Sequence, residues 1–208
     1  MMIKAKHHPI VHNFFKLYVP YIIRRNFHRV HVSGNYQEKN KPILVIANHI
    51  SWWDGFWTVY LILKVFHRKF HFMMLEDQLR KVKIFSLTGG FSIKKGSRSV
   101  IETLKYTIEL LSDNRNLVLL FPQGKITSLY DRSIHFEKGL ERIIKEVNGK
   151  VQIFFQANLI DYFSHKKPSL FIYLKECDRL NPDIGNIQDL YNEFYAGCIE
   201  ENIKKAEE

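Results

Sequence analysis

Ala47-Asn48-His49-Ile50-Ser51-Trp52-Trp53-Asp54-Gly55 separates two unlike stretches of the chain. Before it runs Pro42-Ile43-Leu44-Val45-Ile46-Ala47, which is short, β-branched and bounded by Pro and Asn, and so predicts a buried strand. After it, Trp52 to Phe66 is largely apolar with no turn signal beyond Gly55, which predicts a helix. Asn48 to Ser51 is then a strand-to-helix turn, and such turns lie at the carboxyl ends of strands, where open α/β sheets keep their sites. Two interpretations of the turn stand side by side. In the first, Ser51 caps the helix and Asp54, three residues on, completes a capping box at the positive helix end. In the second, His49 folds back onto Asp54; the carboxylate fixes the imidazole tautomer and leaves the other nitrogen as a general base. With no obvious nucleophile beside it, such a base would act on a nucleophile supplied by the substrate.

Composition sets the outer bounds. At 208 residues one domain is expected, large enough for a real core. The formal charge of +10 points to anionic partners: lipid head groups, phosphorylated substrates or nucleic acid. The two cysteines, Cys177 and Cys198, are expected to be free thiols in a reducing, cytoplasmic setting. The first apolar stretch is broken by Lys16 and Pro20 and has no cleavage-like end, so no secretory leader is expected. No run approaches the ~18–20 apolar residues that span a bilayer.

The segment 1–37 contains no acid but carries Lys4, Lys6, Lys16, Arg24, Arg25 and Arg29. Its apolar and aromatic stretch from Ile10 to Ile23 predicts one or two helices, with Pro20 opening the second or kinking the first. A basic aromatic segment of this kind suits a membrane surface, and its apolar face also suits packing on a core. The segment 1–27 is therefore taken as an amphipathic basic helical element preceding a single α/β domain, 28–208. His7, His8 and His12 are expected to be mobile and solvated. Further strands are predicted over 29–33, 69–75, 116–121, 151–157 and 169–175. Helices are predicted over 76–87, 97–111 and 186–206, with another from Phe136 to Val147. Between the strand ending at Ile93 and the helix that follows, Lys94, Lys95 and Arg98 lie beside helix amides, with Ser97 or Ser99 as cap, which reads either as an anion site or as the commoner solvated basic turn. The strand Leu117-Val118-Leu119-Leu120-Phe121 breaks at Pro122-Gln123-Gly124, a sharp turn.

Taken in order, these stretches resemble the glycerolipid acyltransferase family, typified by 1-acylglycerol-3-phosphate O-acyltransferases. Asn48-His49-x4-Asp54 is similar to its first motif. Gly90-Phe91-Ser92-Ile93-Lys94 is similar to its second, with Lys94 in the place of the usual Arg. Phe121-Pro122-Gln123-Gly124-Lys125-Ile126-Thr127-Ser128 resembles the third, Phe-Pro-Glu-Gly-Thr-Arg-Ser, with Gln, Lys and Ile in place of Glu, Thr and Arg. Phe136-x2-Gly139 matches a further family element, whereas the strand near 151–157 lacks the proline of the fourth motif and carries Gln152 and Gln156.

The resemblance implies a mixed α/β sheet flanked by helices and an acyl transfer from acyl-CoA or acyl carrier protein to a hydroxyl of a lysophospholipid-like acceptor. Lysophosphatidate is the default acceptor. His49 would be the base and Asp54 its partner. Lys94, Gln123, Gly124 and Lys125 would bind the acceptor, and Trp52, Trp53 and Phe56 would line the acyl path, with at least one of these three expected to pack in the core instead. No cofactor or metal is implied beyond the acyl co-substrate. The expected partners are a membrane surface, the lipid acceptor and the acyl carrier, with no nucleic acid, and the expected location is peripheral, on the cytoplasmic face of the membrane. The changed third motif keeps open a non-phosphate acceptor, an amino acid lipid or a glycosylated isoprenoid. Two other classes compete: a serine hydrolase using Ser51 or Ser128, which lacks a G-x-S-x-G elbow, and a non-enzymatic binder of anionic membranes or nucleic acid.

Overall fold

The computed structural model describes residues 2–96, 98–147, 149–177 and 187–205. Strand β2 (Ile43–Ala47) is buried along its whole length, as a strand covered on both faces must be. It lies at the centre of a seven-stranded sheet of order β1-β7-β6-β2-β5-β3-β4. The other strands are β1 (Val30–Asn35), β3 (Lys69–Leu75), β4 (Gly90–Ile93), β5 (Asn116–Leu120), β6 (Gln152–Asp161) and β7 (Ser169–Glu176). Strands β6 and β7 pair antiparallel and every other neighbouring pair is parallel. Five strands therefore present their carboxyl ends along one edge. This is the mixed sheet flanked by helices that the sequence predicts.

The period-two alternation of the strands divides the core into two layers. Ile43, Val45, Leu117, Leu119 and Phe154 pack on one face against α1 (Pro9–Asn26) and α2 (Asp54–Leu61), where Trp57 is fully buried. Leu44, Ile46, Val118 and Phe155 pack on the other against α4 (Ser99–Leu110), α5 (Leu140–Val147) and α6 (Ile187–Lys204). Between β3 and β4 lie α3 (Glu76–Lys81) and a 3₁₀ turn (Lys83–Leu87) instead of the one helix predicted over 76–87. The helix predicted from Trp52 to Phe66 is also divided. After Leu61 it widens into a π turn (Ile62–Phe66) that ends where His67 adopts φ 49° and donates its N–H to the Ile62 carbonyl, 2.9 Å away. Ser97 lies outside the described residues, as do Asn186 and Ala206 at the ends of the last predicted helix.

Gly34, expected to end the first strand, lies inside β1. Its φ is +117°, and a Cβ there would stand 1.8 Å from the Leu174 carbonyl oxygen of β7, so only glycine lets the edge strand close on its neighbour.

Helix α1 runs through Pro20 as one element. Val19, Ile22 and Ile23 enter the core beside α2. Ile10, Phe14, Leu17, Tyr18 and Tyr21, at helical spacing on the opposite side, are exposed. Ahead of the helix, residues 3–8 run along β4 and the 3₁₀ turn. Ser92 donates to the Ile3 carbonyl (2.9 Å), Gly89 to that of Lys6 (3.0 Å), Lys6 to that of Ser86 (2.8 Å) and His8 to that of Leu87 (2.9 Å). His7 is thus not solvated as predicted: its Nε2 is 2.9 Å from the Phe70 carbonyl and its ring meets that of buried His71 edge-on at 4.8 Å.

Burial, and then neighbouring His7, push His71 down to about 4 from an ordinary value of 6.5. The unfolded chain therefore takes up this proton first as pH falls. The stability tied to neutral His71 is present above about pH 6.5 and is lost between there and about pH 4, a loss of about 3 kcal/mol when complete. Denaturant unfolding across this window is expected to show a shallower pH slope for His71→Phe than for the wild type; equal slopes would overturn this account.

Candidate active site

The strand β2 ends at Ala47, but its hydrogen bonding does not. The Asn48 side chain extends the ladder toward β6: its Nδ2 donates to the Asn158 carbonyl at 2.9 Å and its Oδ1 accepts from the Asn158 N–H at 2.8 Å. Both residues are fully buried. Beside them Gln156 donates to Asn158 Oδ1 (2.8 Å) and to Thr58 Oγ1 (3.2 Å), and the Thr58 hydroxyl donates to the Asp54 carbonyl (3.1 Å). Gln156, on the strand where the fourth motif was sought, thus belongs to a buried network under the first motif.

The chain turns out of the sheet at His49. The His49 Nδ1 is 2.6 Å from Asp54 Oδ2, and the same oxygen accepts the backbone N–H groups of Ile50 (2.8 Å) and Ser51 (2.9 Å). The two interpretations of this turn therefore coexist on one atom. Asp54 returns to the backbone ahead of its helix as in a capping box, and it also holds the imidazole. Ser51 does less than predicted, its Oγ accepting only from the Trp53 N–H at 3.1 Å. Burial pushes the Asp54 carboxyl above its ordinary range. The His49 ring and the two N–H groups act in the opposite sense, because each donates to the ionised form. The His49 side chain keeps 24% of its exposure. Its Nε2 has no hydrogen-bond partner among the described residues.

The turn after β5 closes on His49 from the other side. Phe121 stacks on the imidazole with ring centroids 4.2 Å apart. The His49 N–H donates to Gln123 Oε1 at 2.7 Å and its carbonyl accepts from the Thr127 N–H at 2.9 Å. Gly124 has φ +62°, and a Cβ there would lie 2.7 Å from the Lys95 Nζ, so the glycine admits a lysine laid across the turn. That lysine pairs with Glu137 at 2.7 Å and holds its carboxyl below the usual range.

His49 lines a cavity of about 470 Å³ over the carboxyl edge of the sheet. Its lining includes an aromatic cluster in which Phe15, Phe56, Phe85, Phe72 and Phe70 touch in turn. It also includes Lys95, Lys125, Lys138 and Glu137, as well as Lys16 and Lys81. Among the described residues no cluster of three or more His, Cys, Asp or Glu is placed to hold a metal ion. Neither Ser51 nor Ser128 is hydrogen bonded to His49; the Ser128 Oγ accepts from the Tyr130 N–H at 3.2 Å.

A family model described as Acyltransferase matches residues 29–155, more than half of the chain. The chain belongs to the glycerolipid acyltransferase family. No curated protein matches it. The matched span of this acyltransferase opens just before β1 and takes in every residue of the His49 turn and the cavity-lining Lys95, Lys125, Glu137 and Lys138; α1 precedes it.

The acyltransferase site departs from the sequence-based expectation at three side chains. Gln123, expected at the acceptor, is buried and does not line the cavity; its amide is spent on His49 and on the Thr127 hydroxyl, which it reaches at 2.7 Å. Lys94 does not line the cavity either. It follows the end of β4 and stands near Glu76, whose carboxyl Arg80, and to a lesser degree Lys94, hold low. Lys95, the next residue, occupies the cavity instead. Trp53 is not among the cavity-lining residues and packs edge-on against Phe27, centroids 5.4 Å apart, while Trp52 and Phe56 line the cavity. Gly124 and Lys125 line it too. Sequence reasoning missed Thr127 and Glu137. Thr127 sits in a motif whose backbone role no side-chain pattern reports, whereas the Phe136-x2-Gly139 element contained Glu137 and was a usable signal.

Proposed function

We propose that the protein transfers a fatty acyl group from a thioester, acyl-CoA or acyl carrier protein, to a hydroxyl of a lysophospholipid-like acceptor. The observation that carries this reading is the 2.6 Å His49–Asp54 contact at the wall of a cavity lined by an aromatic cluster and by lysines. The acyl chain lies along the aromatic cluster, past Phe56. Lys95, Lys125 and Lys138 receive the anionic head group beside the tight Gly124 turn, over which Lys95 is laid. The His49 Nε2 takes the proton of the acceptor hydroxyl as its oxygen attacks the thioester carbonyl. Asp54 orients the ring and offsets the charge of the imidazolium. The tetrahedral intermediate collapses, expelling the thiolate, which regains the proton from His49. No acyl-enzyme is formed.

The outward face of α1 is the proposed membrane contact. Its apolar residues lie close to basic Lys16, Arg24 and Arg25, a composition suited to the headgroup boundary. His12, Phe15 and Lys16 of this helix, with exposed Trp52, also line the cavity, so a docked face would set the mouth against the lipid. Among the described residues no helix is long and apolar enough to cross a membrane. The proposed location is peripheral, on the cytoplasmic face. Vesicles of anionic phospholipid are expected to sediment with the wild type and to lose most of a Phe14→Glu/Leu17→Glu variant; equal sedimentation of the two would overturn the docking assignment.

One observation supports a second acceptor class. Ile126, exposed and lining the cavity, stands where the resemblance expects an arginine, which suits a less charged acceptor such as an amino acid lipid or a glycosylated isoprenoid. A mass-spectrometric assay with palmitoyl-CoA or palmitoyl carrier protein and an acceptor panel led by lysophosphatidate tests both. Acylated lysophosphatidate is the expected product. Product on an uncharged acceptor alone would move the assignment to the second class. Absence of acyl transfer, with vesicle binding retained, would overturn the enzymatic reading.

A further inference from the structure

We infer that Gln123 and Thr127 are positioning residues for His49, and that these two side chains of the third-motif turn act on the reacting base, while Lys125 and Ile126 between them face the acceptor. This rests on the assignment of His49 as the base. Gln123 is 5% exposed and makes one closed circuit with His49. Its Oε1 accepts the His49 N–H at 2.7 Å, its Nε2 donates to Thr127 Oγ1 at 2.7 Å, and the Thr127 N–H returns to the His49 carbonyl at 2.9 Å. Both backbone polar groups of His49 are thereby held by one five-residue turn, while Asp54 holds the ring from the opposite side.

The chemistry of the amide suits the circuit. A glutamine accepts and donates at once, so it serves His49 and Thr127 with a single side chain. It also brings no second carboxylate to His49. A carboxylate at the same place could still accept the His49 N–H, with the Thr127 hydroxyl turned round to donate. Gln123, buried and outside the cavity lining, spends its amide on His49 and Thr127. Recognition of the acceptor falls to Lys95, Lys125 and Ile126, which do line the cavity.

The test compares kcat, KM, thermal melts and the NMR resonance of the His49 ring N–H in wild type, Gln123→Ala, Gln123→Glu and Thr127→Val. Gln123→Ala is expected to lower kcat about 10²-fold at unchanged KM, the cost of a base displaced by roughly an ångström. Gln123→Glu recovers most of kcat. A rise in acceptor KM with kcat intact in Gln123→Ala would make position 123 an acceptor contact and overturn the inference, as would no change at all. Should Gln123→Ala melt below the assay temperature, Thr127→Val decides: a smaller loss confined to kcat supports the clamp, and wild-type kinetics overturn it. Should the wild type itself transfer no acyl group, the proposed function fails separately. The ring resonance then decides the clamp: it is expected to be lost in Gln123→Ala and to return in Gln123→Glu, and its persistence in Gln123→Ala would overturn the positioning role.

Discussion

His49→Ala is expected to cut acyl transfer by about 10²- to 10⁴-fold, the usual worth of a positioned general base, with the fold intact. The fold survives because the ring is partly exposed and its one polar bond is to Asp54, which keeps the Ile50 and Ser51 N–H groups. Asp54→Asn is expected to lose a comparable factor for a different reason. If the amide oxygen replaces Oδ2, the three donors are met but the charge that supports an imidazolium is gone. If the NH₂ replaces it, two backbone N–H groups lose their acceptor and the imidazole is forced into the wrong tautomer. The rate is read by mass spectrometry under single-turnover conditions and the fold by circular dichroism. Turnover near the wild-type level in folded His49→Ala would sink the base assignment.

The second large effect is structural and begins one residue earlier. Asn48→Ala removes both bonds to Asn158 and leaves a buried N–H and a buried C=O of β6 without partners. Each orphaned group costs about 1–3 kcal/mol. For a chain of this size the sum corresponds to a fall in Tm on the order of 10 °C. Asn48→Asp, which keeps the acceptor and loses the donor, is expected to fall between. Activity should drop with stability, since His49 leaves the sheet from the very atoms that Asn48 anchors. A melt of Asn48→Ala within about 2 °C of wild type would refute the ladder-extension account.

These two residues show what could be found without coordinates. A short β-branched run, a turn and an apolar helix give β2, the His49 turn and α2, because period and capping are local. The pairing of Asn48 with Asn158 spans 110 positions and leaves no local trace. The antiparallel β7 and the sheet order are long-range in the same way. The misassignments share one cause, the direction of a side chain where regular structure ends. Lys94 and Lys95 are adjacent past the last residue of β4, and nothing in the sequence says which one turns toward the cavity. Gln123 lies in a turn whose chemistry matched a binding motif, yet its amide faces the backbone of His49. Trp53, between two residues that line the cavity region, is drawn off by Phe27 of the preceding segment. The π turn after Leu61 depends on packing and not on any breaker residue.

The segment 3–8 has a bearing on how this protein behaves at concentration. A sheet that ends in an uncovered strand offers its unpaired N–H and C=O groups to any other chain and so templates aggregation. Here the chain covers part of that edge itself: Ile3 meets Ser92 of β4, and Lys6 to His8 pair with residues 86–89 just before it. Without that segment the Ser92 and Gly89 N–H groups would lose their acceptors, while α1 would stay held through Val19, Ile22 and Ile23. The segment thus shields that edge of the sheet from pairing with a second chain.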